Sequence, residues 1–288
     1  MLPPMPAIAT LLVSCPDRRG IVATLAQLLY GHGANILDSD QHSDPDGGQF
    51  FQRLRFDLSG LHTDRYTLER AIAEVGERFD MQWSLHDETA NRRVALMVSK
   101  YDHCLYDLLW RQQKGELACD IAMVISNHPD LEPVARHFGV PWHHLPVTKA
   151  TKRAQEDAAL ALLADAGVEL VVLARYMQIL SPTFVGAWPQ RIINIHHSFL
   201  PAFIGGRPYH QAFDRGVKIV GATAHYVTVD LDEGPIIEQD VVRCSHRDTV
   251  SDLVRKGRDL EKIVLARAVR AHLDNRVLVS GNKTVVFA

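Results

Sequence analysis

Residues 94–173 alternate between short apolar segments and segments with helical spacing, and this alternation constrains the fold more than any other feature of the chain. The strand-like segments cover residues 94–99, 120–126 and 168–173, and the helix-like segments cover residues 105–113, 131–138 and 151–166. Such an alternation is typical of βαβ units on a parallel sheet. The continuous apolar run Leu170–Leu173 fits a strand that is buried on both faces. We therefore predict an α/β domain with a Rossmann-like, mostly parallel sheet.

The loop after the first of these strands tests whether such a domain binds a nucleotide. It reads Ser99-Lys-Tyr-Asp-His-Cys104, with no glycine where a pyrophosphate would need close approach of the backbone. No Walker-type Gly-Lys-Ser/Thr sequence occurs elsewhere. The sequence argues against a nucleotide site, although open parallel sheets still bind other ligands at the carboxyl ends of their strands.

The first 86 residues follow a different pattern. Strands are predicted at residues 7–15, 36–43, 50–58 and 81–85, with a helix at residues 21–32 and a second helix after Thr63, its predicted N-cap. The order βαββαβ is that of a ferredoxin-like domain. Residues 87–92 are polar and aperiodic, which is typical of a linker. We expect a first domain at residues 1–86 and a second domain at residues 93–288.

The last part of the chain completes the second domain. Residues 236–242 are predicted to continue the sheet, and residues 249–273 form a long helix. Its predicted inner face carries Leu253, Leu260, Ile263, Val264 and Leu273. Residues 277–279 and 284–287 are predicted to form a closing hairpin. These parts have structural roles.

Composition narrows the environment and the partners. The net charge of −3 offers no basic surplus for nucleic acid, and no stretch approaches the length of a membrane span. The four cysteines are far apart and form no C-x-x-C pair, which argues against a disulfide framework and a structural zinc site. The adjacent histidine pairs carry no metal-binding spacing either. We expect a soluble, cytoplasmic protein without a metal.

Two polar residues at the end of a predicted strand indicate an active site. Ile192, Ile193 and Ile195 predict a buried strand, and its two-residue period places Asn194 and His196 on one face. Asp232 lies in a turn-like run after a second strand, from which its carboxylate can reach them. Taken singly, each has an ordinary structural explanation: a strand-end cap, a buried histidine and a turn former.

The first domain resembles the ACT family of small-molecule regulatory domains. The resemblance depends on Asp17-x-x-Gly20-Ile21 at a helix start and on Gly33-Ala-Asn35-Ile36 after that helix. It implies that Asp17, Gly20 and Asn35 line a site for an amino-acid effector, often between two such domains, and it favours a homo-oligomer, a dimer or a tetramer. Backbone N–H groups at a helix start suit a carboxylate. The alternatives are that Asp17 only caps the helix, that Asn35 only follows a turn, or that the domain only mediates assembly.

The second domain resembles the folate-dependent formyltransferase family. Three motifs carry the resemblance: Asn194-Ile-His196-x-Ser198-x-Leu200-Pro201, His225-x-Val227-Thr228-x-x-Leu231-Asp232-x-Gly234-Pro235 and the segment at residues 173–182, with the loop at residues 202–210 in addition. The resemblance implies Asn194, His196 and Asp232 as catalytic residues, with His225 and Ser198 supporting them. It implies a folate pocket lined by Leu173, Met177, Gln178, Ile179, Leu180 and Val227, and it makes Phe184 a further candidate for the pterin pocket. The alternative is that the apolar residues of this set are ordinary core.

The combination of both domains resembles the members of this family that use water as the acceptor. It implies hydrolysis of 10-formyltetrahydrofolate, as substrate and not as cofactor, to formate and tetrahydrofolate, with the formate feeding purine biosynthesis and the folate pools kept in balance. Asn194 would stabilise the tetrahedral oxyanion, His196 would donate a proton, and Asp232 would favour the protonated ring and accept a proton from water.

Two alternatives remain open. An amine acceptor would make the protein a formyltransferase, but Ser99-Lys-Tyr-Asp-His-Cys104 lacks the glycine-rich sequence that holds a phosphorylated acceptor in that family, and Tyr106 nearby is expected to narrow the mouth of the site. The other alternative is a catalytically silent sensor of folate and amino acid, against which the intact set of Asn194, His196 and Asp232 argues.

Overall fold

A computed structural model of the chain describes residues 7–88, 91–201 and 208–288. The chain divides into two compact units. The first contains the described residues up to 88 together with Asp274–Ser280 and Val285–Ala288, and the second contains the described residues of Asn91–Leu273 together with Gly281–Thr284. The predicted linker, residues 87–92, runs from the last residue of one strand to the first residue of the next, and residues 89 and 90 lie outside the described ranges.

The first unit has the predicted βαββαβ order. Its elements are β1 (Ile8–Pro16), α1 (Ile21–Gly31), β2 (Asn35–Asp44), β3 (Gln49–Asp57), α2 (Arg65–Phe79) and β4 (Gln82–Asp87). The antiparallel sheet has the order β2-β3-β1-β4. Apolar residues of the sheet and both helices form one core, which includes Leu11, Leu25, Phe56 and Ile72. The ferredoxin-like prediction is confirmed.

The start of α2 differs from its prediction. Asp64, and not Thr63, is the N-cap, because the Asp64 carboxylate accepts a hydrogen bond from the backbone N–H of Thr67 at 2.7 Å. The Thr63 hydroxyl instead lies 2.9 Å from Nδ1 of His32. A carboxylate at the N-cap interacts more favourably with the helix dipole than a hydroxyl does, and the two adjacent candidates could not be separated by pattern alone.

A buried arginine joins the end of the chain to the first unit. Arg53 on β3 donates from Nε to the carbonyl oxygen of Asn275 at 3.1 Å and pairs with Asp38 at 3.0 Å. These contacts explain why Asp274–Ser280 belongs to this unit, although residues 274–288 are predicted as part of the second domain. The chain then forms the predicted hairpin of β12 (Val277–Ser280) and β13 (Lys283–Val286).

The second unit is built on a seven-stranded sheet. In chain order its elements are β5 (Arg92–Val98), α3 (His103–Gln113), β6 (Cys119–Ser126), α4 (Glu132–His137), β7 (Trp142–His144), α5 (Lys152–Asp165), β8 (Leu170–Leu173), α6 (Pro182–Ala187), β9 (Ile192–His196), α7 (Pro208–Arg215), β10 (Ile219–Tyr226), β11 (Ile236–Arg243) and α8 (Val250–Leu273). The strand order is β11-β10-β9-β8-β5-β6-β7. Strands β5 to β9 are parallel, and β10 and β11 are antiparallel to their neighbours. The mostly parallel sheet is confirmed.

The strand order creates a crevice beside β5. The chain runs from β5 through β6 to β7 on one side and returns to β8 and β9 on the other, so the direction of winding reverses between β5 and β8. Ligands of open α/β sheets bind at the carboxyl ends of the strands at such a point. Ser99, Leu173 and His196 stand at the ends of β5, β8 and β9.

The long helix α8 matches its prediction except on one edge. Leu253, Leu260, Val264 and Leu273 are buried, whereas Ile263 is 38 % exposed and the prediction for it is wrong. The buried face of α8 includes Glu261 in place of Ile263, and Glu261 is only 1 % exposed. A buried carboxylate interrupts the apolar stripe that the helical period predicts, because it has partners on other elements.

Candidate active site

A cavity of about 480 Å³ lies in the second unit at the carboxyl ends of β5, β8 and β9. Its volume is in the range of small-molecule sites. Asn194, His196, His225 and Asp232 all line it. The structure therefore brings together the three predicted catalytic residues and one of the two predicted supporting residues.

The pairing of β9 with β10 explains why three of these side chains meet. His225 lies directly opposite Asn194, and Thr223 lies opposite His196 in the antiparallel register. Opposite residues of an antiparallel pair share a face of the sheet. A register shift in the pairing of β10 with β11 falls between Ala224 and His225, and such irregularities commonly redirect side chains beside active sites.

The His225 ring is held in one tautomer. Its Nδ1 lies 2.9 Å from the carbonyl oxygen of Tyr226, which can only accept, so Nδ1 carries a proton. Its Nε2 lies 3.2 Å from Nδ2 of Asn194. Burial lowers the pKa of His225, although the Tyr226 carbonyl and the charge of Asp232 oppose the effect. The neutral ring thus accepts one amide N–H of Asn194 and leaves the other available to a ligand.

The loop after β10 brings Asp232 to the cavity through a close backbone contact. A Cβ atom on Gly234 would lie 1.8 Å from the carbonyl oxygen of Tyr226, so only glycine fits there. The N–H of Tyr226 also donates to the carbonyl oxygen of Pro235 at 2.9 Å. Asp232 itself has a φ of 58°, a left-handed conformation that aspartate tolerates better than most residues.

His196 and Asp232 form a buried pair. Nδ1 of His196 lies 3.3 Å from Oδ2 of Asp232, and the side chains are 7 % and 12 % exposed. Burial raises the pKa of Asp232, but the contact with His196 and the charges of His196 and His225 outweigh it, so the net pKa lies below its usual value. The carboxylate is therefore ionised. Nε2 of His196 is buried and has no hydrogen-bond partner among the described residues.

The six predicted folate-pocket residues all line the same cavity: Leu173, Met177, Gln178, Ile179, Leu180 and Val227. Met177 and Ile179 are 51 % and 59 % exposed, so the cavity wall presents large apolar side chains that a ligand can cover. Phe184, by contrast, is fully buried in the core of the unit and does not line the cavity. Its place on α6, a helix that the sequence pattern did not predict, accounts for this difference.

Ser198 has a different position from His225. It is buried and does not line the cavity, and its carbonyl oxygen accepts a hydrogen bond from the Thr223 hydroxyl at 2.9 Å. Through this bond the backbone after β9 is held to β10. Residues 202–207, most of the loop that contributes to the family resemblance, lie outside the described residues.

The loop after β5 begins with a serine that bonds to two other loops. The Ser99 hydroxyl donates to Oδ1 of Asn127 at 2.7 Å and accepts from the N–H of Met177 at 2.9 Å. It is thereby used to join the loops that follow three strands. Tyr101, and not the predicted Tyr106, lines the cavity, because Tyr106 packs edge-on against Phe138.

Sequence reasoning missed a buried polar network in the cavity wall. Glu261 lies 2.8 Å from Nε2 of His103, accepts from the Tyr209 hydroxyl at 2.7 Å and pairs with Arg175 at 3.4 Å. Burial alone would raise the pKa of Glu261, but these donors lower it below its usual value. The four residues come from four separate segments and share no motif, so no signal in one sequence identifies them.

Arg175 has a strained backbone, with a φ of 66°. A residue with a Cβ atom in this left-handed conformation costs about 1–2 kcal/mol, a cost that glycine avoids. Its guanidinium is 5.0 Å from the centre of the Tyr101 ring, and the residue is 8 % exposed. Strain at a cavity wall indicates that the side chain has a function there.

The same region includes a cluster with the composition of a metal site. Ligand atoms of His103, Cys104 and Glu261 lie within 4.8 Å of one another. The Glu261 carboxylate is already bound by a guanidinium, a hydroxyl and an imidazole, and burial raises the pKa of Cys104 well above its usual value. A protonated thiol beside a saturated carboxylate is a poor ligand set, so the cluster fits an ion-pair network better than a metal site.

His197 connects this network to His196. Its ring stacks on that of His196 at 5.2 Å between centroids and lies 6.1 Å from the Tyr209 ring. Burial, followed by the charge of Arg175, lowers the pKa of His197 to about 4. The ring is therefore neutral near neutral pH. Sequence reasoning considered this residue only as half of a histidine pair.

In the first unit, the predicted effector residues are not all brought together. Gly20 is the N-cap of α1 with a φ of 94°, and Asp17, three residues earlier, is exposed and gives this cap no side-chain hydrogen bond. Asn35 stands at the start of β2, after the far end of the eleven-residue helix. That helix is roughly 16 Å long. Within one chain, Asp17 and Gly20 lie at one end of the sheet and Asn35 at the other.

None of the helices in the described ranges combines the length and apolar character that crossing a membrane requires.

The comparisons with known proteins place the chain in the class of formyl transferases, and the α/β sheet with a cavity at its switch point agrees with this class. The model of the formyl transferase family matches residues 92–269, and the model of the ACT domain matches residues 9–75. The chain is 58 % identical over 280 residues to a formyltetrahydrofolate deformylase of Synechocystis sp., covering 97 % of this chain and 98 % of the relative. It is 52 % identical to the enzyme of the same name from Bacillus subtilis, covering 96 % and 93 %.

A solved structure gives the same result. The crystal structure of a formyltetrahydrofolate deformylase from Pseudomonas syringae pv. tomato superposes with a TM-score of 0.96 at 48 % identity, covering 99 % of this chain and 96 % of that one. The chain belongs to the formyltetrahydrofolate deformylase family.

Proposed function

We propose that the protein hydrolyses 10-formyltetrahydrofolate to formate and tetrahydrofolate. The observation that carries the proposal is the set of Asn194, His196 and Asp232 around one cavity, in a chain of the deformylase family. The folate is the substrate, and the proposed reaction needs no cofactor. A cytoplasmic location and a supply of formate to purine biosynthesis stay predictions.

The apolar part of the cavity is proposed to bind the pterin. Leu173, Met177, Ile179, Leu180 and Val227 offer apolar surface, and the Gln178 amide offers both a donor and an acceptor. Binding of a flat ring over exposed apolar side chains is favourable, because it removes apolar surface from water. The pterin would then place the formyl group near Asn194 and His196.

The proposed reaction uses three groups of the site. Water adds to the formyl carbon and passes one proton to Asp232, while the free amide N–H of Asn194 stabilises the oxyanion that forms. The bond between the formyl carbon and the folate nitrogen then breaks, and that nitrogen takes a proton from Nε2 of His196. Asp232 then gives its proton to water, Nε2 of His196 regains a proton from water, and ionisation of the formic acid product releases the remaining proton to solvent. Formate and tetrahydrofolate leave.

His225 is proposed to hold the Asn194 amide in place. Because its Nδ1 is bound to the Tyr226 carbonyl, its Nε2 presents a lone pair to Asn194. The amide group is thereby kept from rotating, so that its second N–H faces the place of the oxyanion. Ser198 supports the site more remotely, through the bond between its carbonyl and Thr223.

One assay tests the function. Purified protein is incubated with 10-formyltetrahydrofolate and no amine, and formate is measured. Release of formate is expected. Turnover only after an amine is added would contradict hydrolysis and favour a formyltransferase, and no turnover under any condition would favour a sensor that merely holds folate.

We further propose that the ACT domain binds an amino acid between two copies of the chain. The separation of Asp17 and Gly20 from Asn35 along the sheet supports this, because two copies can supply both halves of a site that one chain does not assemble. A homo-oligomer, a dimer or a tetramer, is then required. Glycine and methionine are the first effectors to test.

The effector proposal has its own experiment. Formate release is measured as single amino acids are added, with Gly20→Val and the control Gly31→Ala. Gly20 has a φ of 94°, whereas Gly31 has ordinary backbone geometry and no neighbour within 4 Å of a Cβ atom. The response should be lost only in Gly20→Val. A monomer in light scattering, or an unchanged response in that variant, would contradict the proposal.

A further inference from the structure

The wall of the cavity beyond His197 is closed by side chains that bind one another. Glu261 on α8 accepts hydrogen bonds from Tyr209 on α7 and His103 at the start of α3, and it pairs with Arg175 after β8. All four residues line the cavity. Arg175, Tyr209 and Glu261 are at least nine-tenths buried. The proposed hydrolysis uses none of these groups.

The Tyr209 side chain is closely packed against α8. A Cβ atom on Gly257, one turn of α8 before Glu261, would lie 2.0 Å from the Tyr209 hydroxyl oxygen. The hydroxyl thus occupies the space that a side chain at position 257 would fill. The network is packed against the helix and does not move aside without breaking several contacts at once.

Arg175 supplies the positive charge that pairs with Glu261 in the network. The residue keeps a left-handed backbone that glycine would adopt without strain, and its guanidinium lies between Glu261 and the Tyr101 ring. Its charge is also the second cause, after burial, of the low pKa of His197. The side chain therefore influences the group that stacks directly on His196.

We propose that Arg175 and its partners Glu261, Tyr209 and His103 determine which acceptor attacks the formyl carbon, by filling the space beside His196 and His197 that an amine acceptor would occupy. This inference rests on the proposed function. A water molecule needs only the space of one oxygen atom, whereas an amine carries a carbon chain.

The reaction that the network suppresses is balanced without a further reactant. The amine nitrogen forms a bond to the formyl carbon, the bond from that carbon to the folate nitrogen breaks, and the proton lost by the amine is transferred to the folate nitrogen. The products are an N-formyl amide and tetrahydrofolate. Water and amine thus compete to attack the same formyl carbon. The ratio of N-formyl amide to formate therefore measures how well the site admits an amine.

The experiment measures this ratio in the full-length protein. Wild type, Arg175→Gly and Gln190→Gly are incubated with 10-formyltetrahydrofolate and increasing glycinamide, and formate and N-formylglycinamide are measured together. Gln190 also has a positive φ, of 55°, but is exposed and lies away from the cavity, so it controls for relief of backbone strain. In Arg175→Gly, Glu261 keeps its bonds to His103 and Tyr209.

Arg175→Gly should raise the ratio of N-formylglycinamide to formate at least about tenfold, in proportion to glycinamide, while Gln190→Gly should match wild type. A ratio equal to that of wild type would overturn the inference. So would loss of all turnover with the fold intact by circular dichroism, since Arg175 would then act in hydrolysis itself.

A second variant keeps the inference testable if Arg175→Gly does not fold. The double variant Arg175→Gly, Glu261→Gln removes the cation together with its carboxylate, so that no charge is left unpaired. The same rise in the product ratio is expected, and an unchanged ratio would overturn the inference. Absence of formate from wild type would instead contradict the proposed hydrolysis, so the two failures are distinguishable.

Discussion

Nδ1 of His196 lies 3.3 Å from Oδ2 of Asp232. His196 is the last residue of β9, whereas Asp232 lies in the loop between β10 and β11. The contact directs Nε2 of His196 away from the carboxylate. In the proposed reaction, this buried pair separates the proton acceptor, Asp232, from the proton donor, Nε2 of His196.

Replacing Asp232 by asparagine should slow formate release about 100- to 10,000-fold, because the amide cannot take a proton from water. The variant should still bind folate, since the apolar wall is unchanged. Steady-state kinetics and equilibrium binding of tetrahydrofolate check both parts. Normal turnover in Asp232→Asn would show that another group accepts the proton.

Asn194→Ala should reduce kcat about 100- to 1,000-fold with little change in KM, because the amide acts on the oxyanion and not on the bound substrate. His225→Phe should have a smaller effect of the same kind, since the amide remains but is no longer held. A larger effect on KM than on kcat would argue that Asn194 binds the ground state.

Ile179→Ala should raise KM roughly 5- to 30-fold, as about 1–2 kcal/mol of apolar contact with the pterin is lost. The matched control is Ile219→Ala, because Ile219 is also exposed, at 48 %, but does not line the cavity. Equal KM values for the two variants would place the pterin elsewhere.

Gly234→Ala should displace the loop that carries Asp232, because its Cβ atom has no space beside the Tyr226 carbonyl. We expect a loss of about 1–3 kcal/mol in the free energy of unfolding and a fall in kcat of about 100-fold. Urea denaturation and kinetics measure the two effects. Gly186→Ala, with no atom within 4 Å of its Cβ position, should leave both unchanged.

His197 should make the stability of the protein depend on pH. Its pKa falls from 6.5 to about 4 on folding, so the unfolded chain takes up a proton first as the pH decreases. The contribution is fully present above pH 6.5 and is lost as the pH falls to about 4. Its size is on the order of 3 kcal/mol.

Denaturation in urea over this range checks the prediction for His197. The fall in unfolding free energy should be smaller in His197→Asn than in wild type. The same slope in both proteins would mean that other groups, such as His225, produce the whole effect.

The part of the site that lies on one strand could be predicted from the sequence. The two-residue period places Asn194 and His196 together without knowledge of any other segment, and family resemblance supplies Asp232. The wall residues at 173–180 follow from the same resemblance, although Phe184 does not, because a short helix turns it into the core.

The remaining features depend on contacts between distant segments. Arg175 and Glu261 meet only through the packing of α8 against the sheet, and the sequence around each is ordinary. The separation of Asn35 from Asp17 likewise depends on strand register, which motif spacing does not contain. Ionised residues in the core are hard to predict because their partners, and not their own sequence context, make burial tolerable.

The contacts of Arg53 have a consequence for biosynthesis. The backbone carbonyl groups of Asp274 and Asn275 accept hydrogen bonds from this buried guanidinium, yet both residues are translated after residues 91–273 of the second unit. While the ribosome is still making residues 91–273, Arg53 has no access to them. The first unit to emerge is therefore the last to be completed, and a single cut between residues 90 and 91 does not separate the units, because the chain returns to the first unit at Asp274.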